Sequence, residues 1–421
     1  MKIRVVAAVA LVIFLLSLCG CSKADVPLVT AEYQSELSYG VFEAEKITVL
    51  PWNSGRSEFT SYNTLAETEN GYYFMFSSWL YYADKSDLSN WAVLCNKPNC
   101  NHYDGLCNGK IYASAFLVMD EKIYRTGDTF FYDHLYQKKE HGTVFVASDL
   151  DGSNTKIAYI PEHTVNTAPI AGADFYLDDQ WIFFIASLDA AGIAHTKGIS
   201  VSDSGSQIFW EQEGDVASLS LMGARNMFSI YGDKYFYCSL LSGTSTKIHR
   251  VENGTLFEID ISGLPVKGSY LSDSILRCFR QNDGYYDIDL TTGDEIRLMD
   301  ARLENSYCSA ILPNCILEST LLYPESVDSR IDGKPHCMEI FDGESWHSVE
   351  LPSELINAPR NTFLSVRAVT SDGIWLSRME QVRVIKDNEP LMYTDMALYR
   401  IPIGQNSWHL EYIGTVPTPR R

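Results

Sequence analysis

Short apolar strands separated by polar turns recur along most of the chain. The strongest theme is a polar turn followed at once by aromatic and aliphatic residues. It appears as Asn70-Gly71-Tyr72-Tyr73-Phe74-Met75-Phe76, Asp120-Glu121-Lys122-Ile123-Tyr124, Asp178-Asp179-Gln180-Trp181-Ile182-Phe183-Phe184 and Gly232-Asp233-Lys234-Tyr235-Phe236-Tyr237. Weaker copies are Ser272-Asp273-Ser274-Ile275-Leu276, Glu318-Ser319-Thr320-Leu321-Leu322-Tyr323 and Ser371-Asp372-Gly373-Ile374-Trp375-Leu376. A second theme closes the units: an alternating strand runs into a Gly turn and out again. Val144–Asn154, Tyr286–Asp294 and Leu398–Gln405 are the clearest cases, each read as an outer hairpin.

Openings that recur roughly every 40–60 residues, with several strands per unit, predict an all-β chain folded as a β-propeller. A blade cannot bury its own faces, so blades pack face to face around an axis. Seven openings predict seven four-stranded blades, with six and eight as the alternatives; a pair of β-sandwiches or a β-helix is the competing architecture. Residues 44–50 (AEKITVL) are apolar enough to add a strand to the last blade and close the ring. The run Asp149-Leu150-Asp151-Gly152-Ser153-Asn154 after a strand resembles the blade turns of bacterial TolB-like propellers and of secreted low-density-lipoprotein-receptor-like propellers. That resemblance implies the fold and no particular activity. Asp149, Asp151, Ser153 and Asn154 do not form an EF-hand: Gly152 is fourth and Ile160 twelfth, where that loop needs Gly at six and Glu at twelve. They predict a β-turn.

The first segment is different in kind. Lys2 and Arg4 precede an apolar run from Val5 to Leu18, broken only by Ser17. The run is shorter than the roughly 20 residues of a bilayer span and has the form of a secretory h-region. Leu18-Cys19-Gly20-Cys21 follows, and it resembles the lipobox of bacterial lipoproteins. The resemblance implies cleavage before Cys21, a diacylglyceryl group on the Cys21 thiol, and anchorage to the outer face of a membrane. Residues 1–20 are then a signal peptide, 21–45 a lipidated tether and 46–421 the propeller. An uncleaved anchor or an ordinary secretory signal is the alternative.

A net charge of −21 sets nucleic acid aside as a partner, because phosphates would be repelled. With Cys19 lost and Cys21 lipidated, eight cysteines remain. Cys238, Cys278, Cys308, Cys315 and Cys337 are scattered, as small buried hydrophobes are in large β-proteins. Cys308 and Cys315 either bridge a loop or are core residues of neighbouring strands, and the second reading is preferred.

The other three crowd together as Cys95, Cys100 and Cys107 with His102, in the spacing C-x4-C-x-H-x4-C. This resembles an element of extracytoplasmic propeller lipoproteins of anaerobic Gram-positive bacteria. Chemically, three thiolates and an imidazole suit a tetrahedral Cys3His structural zinc site with no open coordination position. A disulfide between two of the cysteines is the competing reading, because extracytoplasmic compartments are oxidising. Both stay open at this point.

No zinc-protease, nucleophile-elbow or phosphate-loop motif is present. Tyr72, Tyr73, Trp181, Phe183, Tyr235 and Tyr237 offer a sugar-stacking platform on paper, but at period two between packed blades they predict core. The leading expectation is a non-catalytic, lipid-anchored propeller that binds a peptide, glycan or protein at the cell surface. A glycan hydrolase or lyase with carboxylates at the propeller mouth is the second, and an envelope assembly subunit the third.

Overall fold

The computed structural model describes residues 64–76, 79–100, 102, 107–110, 116–119, 121–128, 143–159, 168–177, 180–188, 194–202, 205–213, 225–240, 246–259, 266–280, 283–303, 309–312, 315–322, 335–359, 362–386, 389–404 and 407–419. The signal segment, Cys21, the tether, residues 44–50 and Cys308 lie outside the described residues.

The described residues form seven four-stranded antiparallel sheets in chain order. The first holds β1 (Leu65–Glu67), β2 (Gly71–Phe76), β3 (Trp79–Asp84) and β4 (Ala92–Val93). The second holds β5 (Phe116–Met119), β6 (Lys122–Asp128), β7 (Thr143–Asp149) and β8 (Lys156–Tyr159). The third holds β9 (Ala168–Leu177), β10 (Gln180–Leu188), β11 (Ala194–Ser202) and β12 (Gly205–Glu213). The fourth holds β13 (Arg225–Tyr231), β14 (Lys234–Leu240), β15 (Thr246–Glu252) and β16 (Thr255–Ile259). The fifth holds β17 (Val266–Ser272), β18 (Ile275–Arg280), β19 (Gly284–Asp289) and β20 (Glu295–Met299). The sixth holds β21 (Ser309–Ile311), β22 (Ile316–Ser319), β23 (Met338–Phe341) and β24 (Trp346–Ser348). The seventh, after the single turn of α1 (Ser353–Ile356), holds β25 (Ser365–Val369), β26 (Gly373–Lys386), β27 (Glu389–Pro402) and β28 (Glu411–Val416). Each sheet is a meander and therefore a blade, and the chain is an all-β propeller. First strands neighbour one another (β9 and β13, β13 and β17, β17 and β21, β25 and β1), so they line the axis.

The repeated openings are out of phase with the blades. Six of the seven mark the turn between the first and second strands, and an inner strand precedes each of them. The inner strands carry few turn signals of their own, which hides them in the sequence. The copy at Glu318–Tyr323 instead falls at the end of β22, whose entry turn is closed by the Leu312 N–H on the Cys315 carbonyl. The unit ends are placed as expected: each is the hairpin between third and fourth strands.

Burial on both faces explains why β2 is apolar without a break. Successive side chains of a strand point to opposite faces. On β2, Tyr72 and Phe74 pack with Trp375, Met396, Leu398 and Val416 of the last blade, whereas Tyr73 and Met75 pack with Phe116 and Ile123 of the second. The last blade repeats the pattern: Ile374 and Leu376 face the sixth blade, and Trp375 faces the first. Each such aliphatic or aromatic side chain contributes about 1.5–3 kcal/mol when fully buried. Tyr72 and Tyr73 are core, as expected, and the partly exposed Tyr235 ring is stacked on Phe209 of the preceding blade at 4.1 Å. The side chains of Trp181, Phe183 and Tyr237 lie outside the described set.

Among the described residues, the last sheet takes its four strands from residues 365–416, and packing and hydrogen bonds join it to the first blade. Tyr72 and Trp375 meet at 4.8 Å between ring centroids. Buried Glu67 accepts from Lys85 Nζ at 2.7 Å, from the Ser371 N–H at 2.7 Å and from Ser371 Oγ at 2.5 Å. The Tyr81 hydroxyl donates to the Pro417 carbonyl beyond β28 at 2.9 Å. Burial raises the Glu67 pKa, but the Lys85 and Ser371 hydrogen bonds outweigh it and leave the carboxyl below its usual 4.5. Because the folded value is lower than the unfolded one, this stabilisation is present above 4.5 and is lost as pH falls through the folded value. Glu67→Gln is therefore expected to cost about 1–2 kcal/mol at pH 7. That difference from wild type should close in urea titrations at a pH below the folded value of Glu67.

β26 and β27 are each 14 residues long and pair with one another beyond the rest of their sheet. The resulting ribbon carries exposed Met379, Ile385 and Met392 on one face. Among the described residues no helix is long and apolar enough to cross a membrane.

Candidate metal centre

The loop that leaves β4 brings the four sequence-predicted ligands together. One ligand atom from each of Cys95, Cys100, His102 and Cys107 lies within 4.8 Å of all the others. A tetrahedral zinc with bonds of about 2.0–2.3 Å sets its ligand atoms roughly 3.5–3.8 Å apart, so small side-chain rotations close the set on an ion. The three cysteines are free thiols.

Local chemistry explains the convergence. Lys97-Pro98-Asn99-Cys100 is a β-turn closed by the Cys100 N–H on the Lys97 carbonyl at 3.3 Å. Pro98 supplies the second position and Asn99, at φ 57°, the left-handed third position of a type II turn. His102 is also left-handed, at φ 59°. Its N–H donates to Cys100 Sγ at 3.4 Å, its Nδ1 lies 3.4 Å from Cys107 Sγ, and its carbonyl accepts from Trp79 Nε1 at 2.7 Å. Past Cys107 the chain rejoins the first blade, where the Leu80 N–H donates to the Gly109 carbonyl at 2.7 Å. Gly109 is needed there, because a Cβ would lie 2.6 Å from Val93 Cγ1 and 2.7 Å from the Leu94 carbonyl oxygen.

The thiols are electrostatically unequal. Burial raises the Cys95 pKa, but N–H groups of Lys97 and Asn108 and the thiols of Cys100 and Cys107 bring it below its usual 9.0. Cys107 is pushed up to about 12 by burial, reinforced by negative charge on Cys95 and Cys100. Three adjacent thiolates repel one another in a half-buried site, and a dication removes that penalty. The donor set therefore fits a thiophilic divalent metal, and the cluster can hold one.

Sequence reading found the ligands but missed what grips them. Asn96 and Asn108 follow the first and last cysteines and hydrogen-bond each other, Asn108 Nδ2 to Asn96 Oδ1, at 2.8 Å. Asn96 Nδ2 then donates to Asp151 Oδ2 at 2.9 Å, on the outer hairpin of the second blade. That hairpin is the turn expected at Asp149–Asn154. The Gly152 N–H donates to the Asp149 carbonyl at 2.9 Å, and Gly152 has φ 77°.

The remaining cysteines are less uniform than expected. Cys278 is fully buried, whereas Cys315 and Cys337 are partly exposed. The Cys315 sulfur is itself enclosed, and burial with nearby Asp342 pushes its thiol up to about 12. A Ser–His–Asp grouping occurs on the sixth blade, where Ser345 Oγ and Asp342 Oδ2 lie 3.0 and 2.8 Å from His347. Both partners contact the same nitrogen, Nε2, so the imidazole cannot relay a proton between them as a triad does. The Ser345 and Glu344 N–H groups, aided by His347, hold Asp342 at about 2, and the grouping is a turn lock.

No protein-family model matches the sequence, and no curated protein is similar to it. Several solved structures are similar to it at low identity. A prolyl endopeptidase is similar at 9% identity over 82% of this chain and 56% of its own, with a TM-score of 0.40. The β-propeller domain of the trilobed protease from Pyrococcus furiosus is similar at 9% identity over 83% of this chain and 97% of its own, with a TM-score of 0.37. The N-terminal domain of Nup159 is similar at 13% identity, with a TM-score of 0.31; the chain spans 58% of its length.

Proposed function

We propose that the chain is a lipid-anchored, extracytoplasmic β-propeller that binds or scaffolds at the bacterial cell surface without catalysing a reaction, with a structural zinc held by Cys95, Cys100, His102 and Cys107. Location rests on Lys2, Arg4, the apolar run and Cys21 at its end. On this reading residues 1–20 are removed, 21–45 tether the body, and the membrane is met through the Cys21 lipid. Two or three acyl chains, at about 0.8 kcal/mol per buried methylene, hold such a protein firmly. Zinc rests on the closed four-ligand set, which leaves no position for a reactive water.

The observation that carries the non-catalytic reading is the state of the carboxylates. A glycan hydrolase needs one acid whose pKa is raised. At six described carboxylates the acidity is displaced downward. Turn hydroxyls and amides do this at Asp84, Asp151, Asp289 and Asp342, and ion pairs and hydrogen bonds outweigh burial at Glu67 and Asp372. These groups are committed to turns and seams. Expressed in a bacterium, the wild-type chain is expected in the membrane pellet and the Cys21→Ala variant in the soluble fraction. Purified chain incubated with cell-wall polysaccharide should release no new reducing or unsaturated ends. Such release, above a boiled control, would replace the binding reading with the hydrolase or lyase. A wild-type chain in the soluble fraction would remove the anchor.

A further inference from the structure

The four ligands sit on the first blade, but the residues that flank them reach the second. Asn96 follows Cys95, Asn108 follows Cys107, and their side chains are bonded to each other. Asn96 also bridges to Asp151 at the hairpin tip. Gly152, beside Asp151, is buried against the same loop: a Cβ there would stand 3.1 Å from the Leu94 carbonyl oxygen and 3.4 Å from Asn108 Cβ. Beneath the loop, the Tyr73 hydroxyl of the first blade donates to the Leu150 carbonyl at 3.0 Å, and Leu150 packs on the cluster that holds Leu94, Phe116 and Ile123.

We infer that the metal is a latch for the seam between first and second blades: by fixing Cys95 and Cys107 together it sets Asn96 and Asn108 as a pair that seats the Asp149–Asn154 turn. This rests on the metal reading above and extends it from a local clip to an inter-blade one. The physical reason is loop entropy. Without the ion, the loop is still tied to Leu80 at Leu94 and Gly109, and between them by the short turn at residues 97–100 and the Trp79 bond to the His102 carbonyl. Releasing Cys95 from Cys107 loosens the segments that carry both asparagines, and a solvent-facing Asn–Asp hydrogen bond is too weak to order them by itself. Asp151 and Asn96 are positioning residues, and neither is a ligand.

Amide hydrogen exchange of the full-length chain tests the latch, read by peptide in zinc-loaded and chelated protein. Chelation is expected to speed exchange at least about tenfold in peptides covering 94–110 and also in those covering 143–159, with the fifth-blade peptide 275–289 unchanged. Asn96→Ala and Asp151→Ala should each keep one zinc per chain yet show the faster 143–159 exchange while zinc is bound. Failure of the two readings is distinguishable. No zinc by elemental analysis overturns the metal site itself. Zinc bound, with faster exchange confined to 94–110 on chelation, overturns the latch alone. If chelation unfolds all blades, the two variants decide: normal 143–159 exchange in both overturns the latch.

Discussion

Stripping the metal from the Cys95–Cys107 loop is expected to lower the thermal midpoint of the chain by on the order of 5–10 °C. A ligand that binds only the folded state at a thousand times its dissociation constant adds about 4 kcal/mol, and thiolate-rich zinc sites reach that regime at micromolar metal. A chain of this length shifts by only a few degrees per kcal/mol, which sets the size of the effect. Cys100→Ser removes one of the four ligands and loosens the turn at residues 97–100, so the variant should melt near the chelated wild type and respond little to chelator. Readding zinc should restore the wild type and leave the variant where it is. Acid should mimic chelation, because each ligand must lose its proton before it can bind. Calorimetry with and without chelator, in reducing buffer, measures all of this. A wild-type midpoint indifferent to chelator would remove zinc as a stabilising part.

Glu318→Ala should destabilise the chain by about 3–5 kcal/mol, the largest cost expected of a single substitution outside the metal loop. Glu318 is fully buried on β22, between the fifth and sixth blades. It accepts from the Tyr285 hydroxyl of the fifth blade at 2.8 Å, and from the Arg302 and Leu303 N–H groups of the connecting segment at 3.0 and 2.6 Å. The carboxylate thus organises the crossing from one blade to the next. Alanine leaves three donors without their acceptor, and each buried donor left unmade costs about 1–3 kcal/mol before relaxation. Glu318→Gln keeps an acceptor oxygen and most of the shape, so about 1–2 kcal/mol is expected. Urea titrations of the two variants give the comparison. A loss below about 1 kcal/mol for alanine would show that water replaces the carboxylate readily, and that the seam is held by its apolar contacts.

Sequence reading and structure agree most closely where chemistry is local. Pro98 and Asn99 specify a type II turn by their own torsional preferences, and Gly152 and Asn154 do the same for the blade hairpin. The outer hairpins were legible because Gly turns punctuate alternating strands. Inner strands such as Leu65–Glu67 and Ser309–Ile311 were not: three residues carry too little periodicity, and their place on the axis follows from neighbours far away in sequence. The Glu318–Tyr323 opening misled for the same reason, since Glu318 is a polar residue made apolar-compatible by donors from Tyr285 of another blade and from the connecting segment.

The order of the residues alone determined the all-β class, the repeat, the hairpin turns and the four candidate ligands, because each depends on preferences within a few neighbouring residues or on a regular period. It also carries the expectation of a lipid at Cys21. Tertiary structure decided what those pieces do to one another. It set Tyr72 against Trp375, some 300 positions apart in the chain, and closed the first blade onto the last. It converged three thiols and an imidazole within bonding reach of one ion. It also placed Asn96 on Asp151, a contact across 55 positions that no local pattern announces. Such contacts arise from the packing of whole blades, a long-range effect with no short-range signature in the chain.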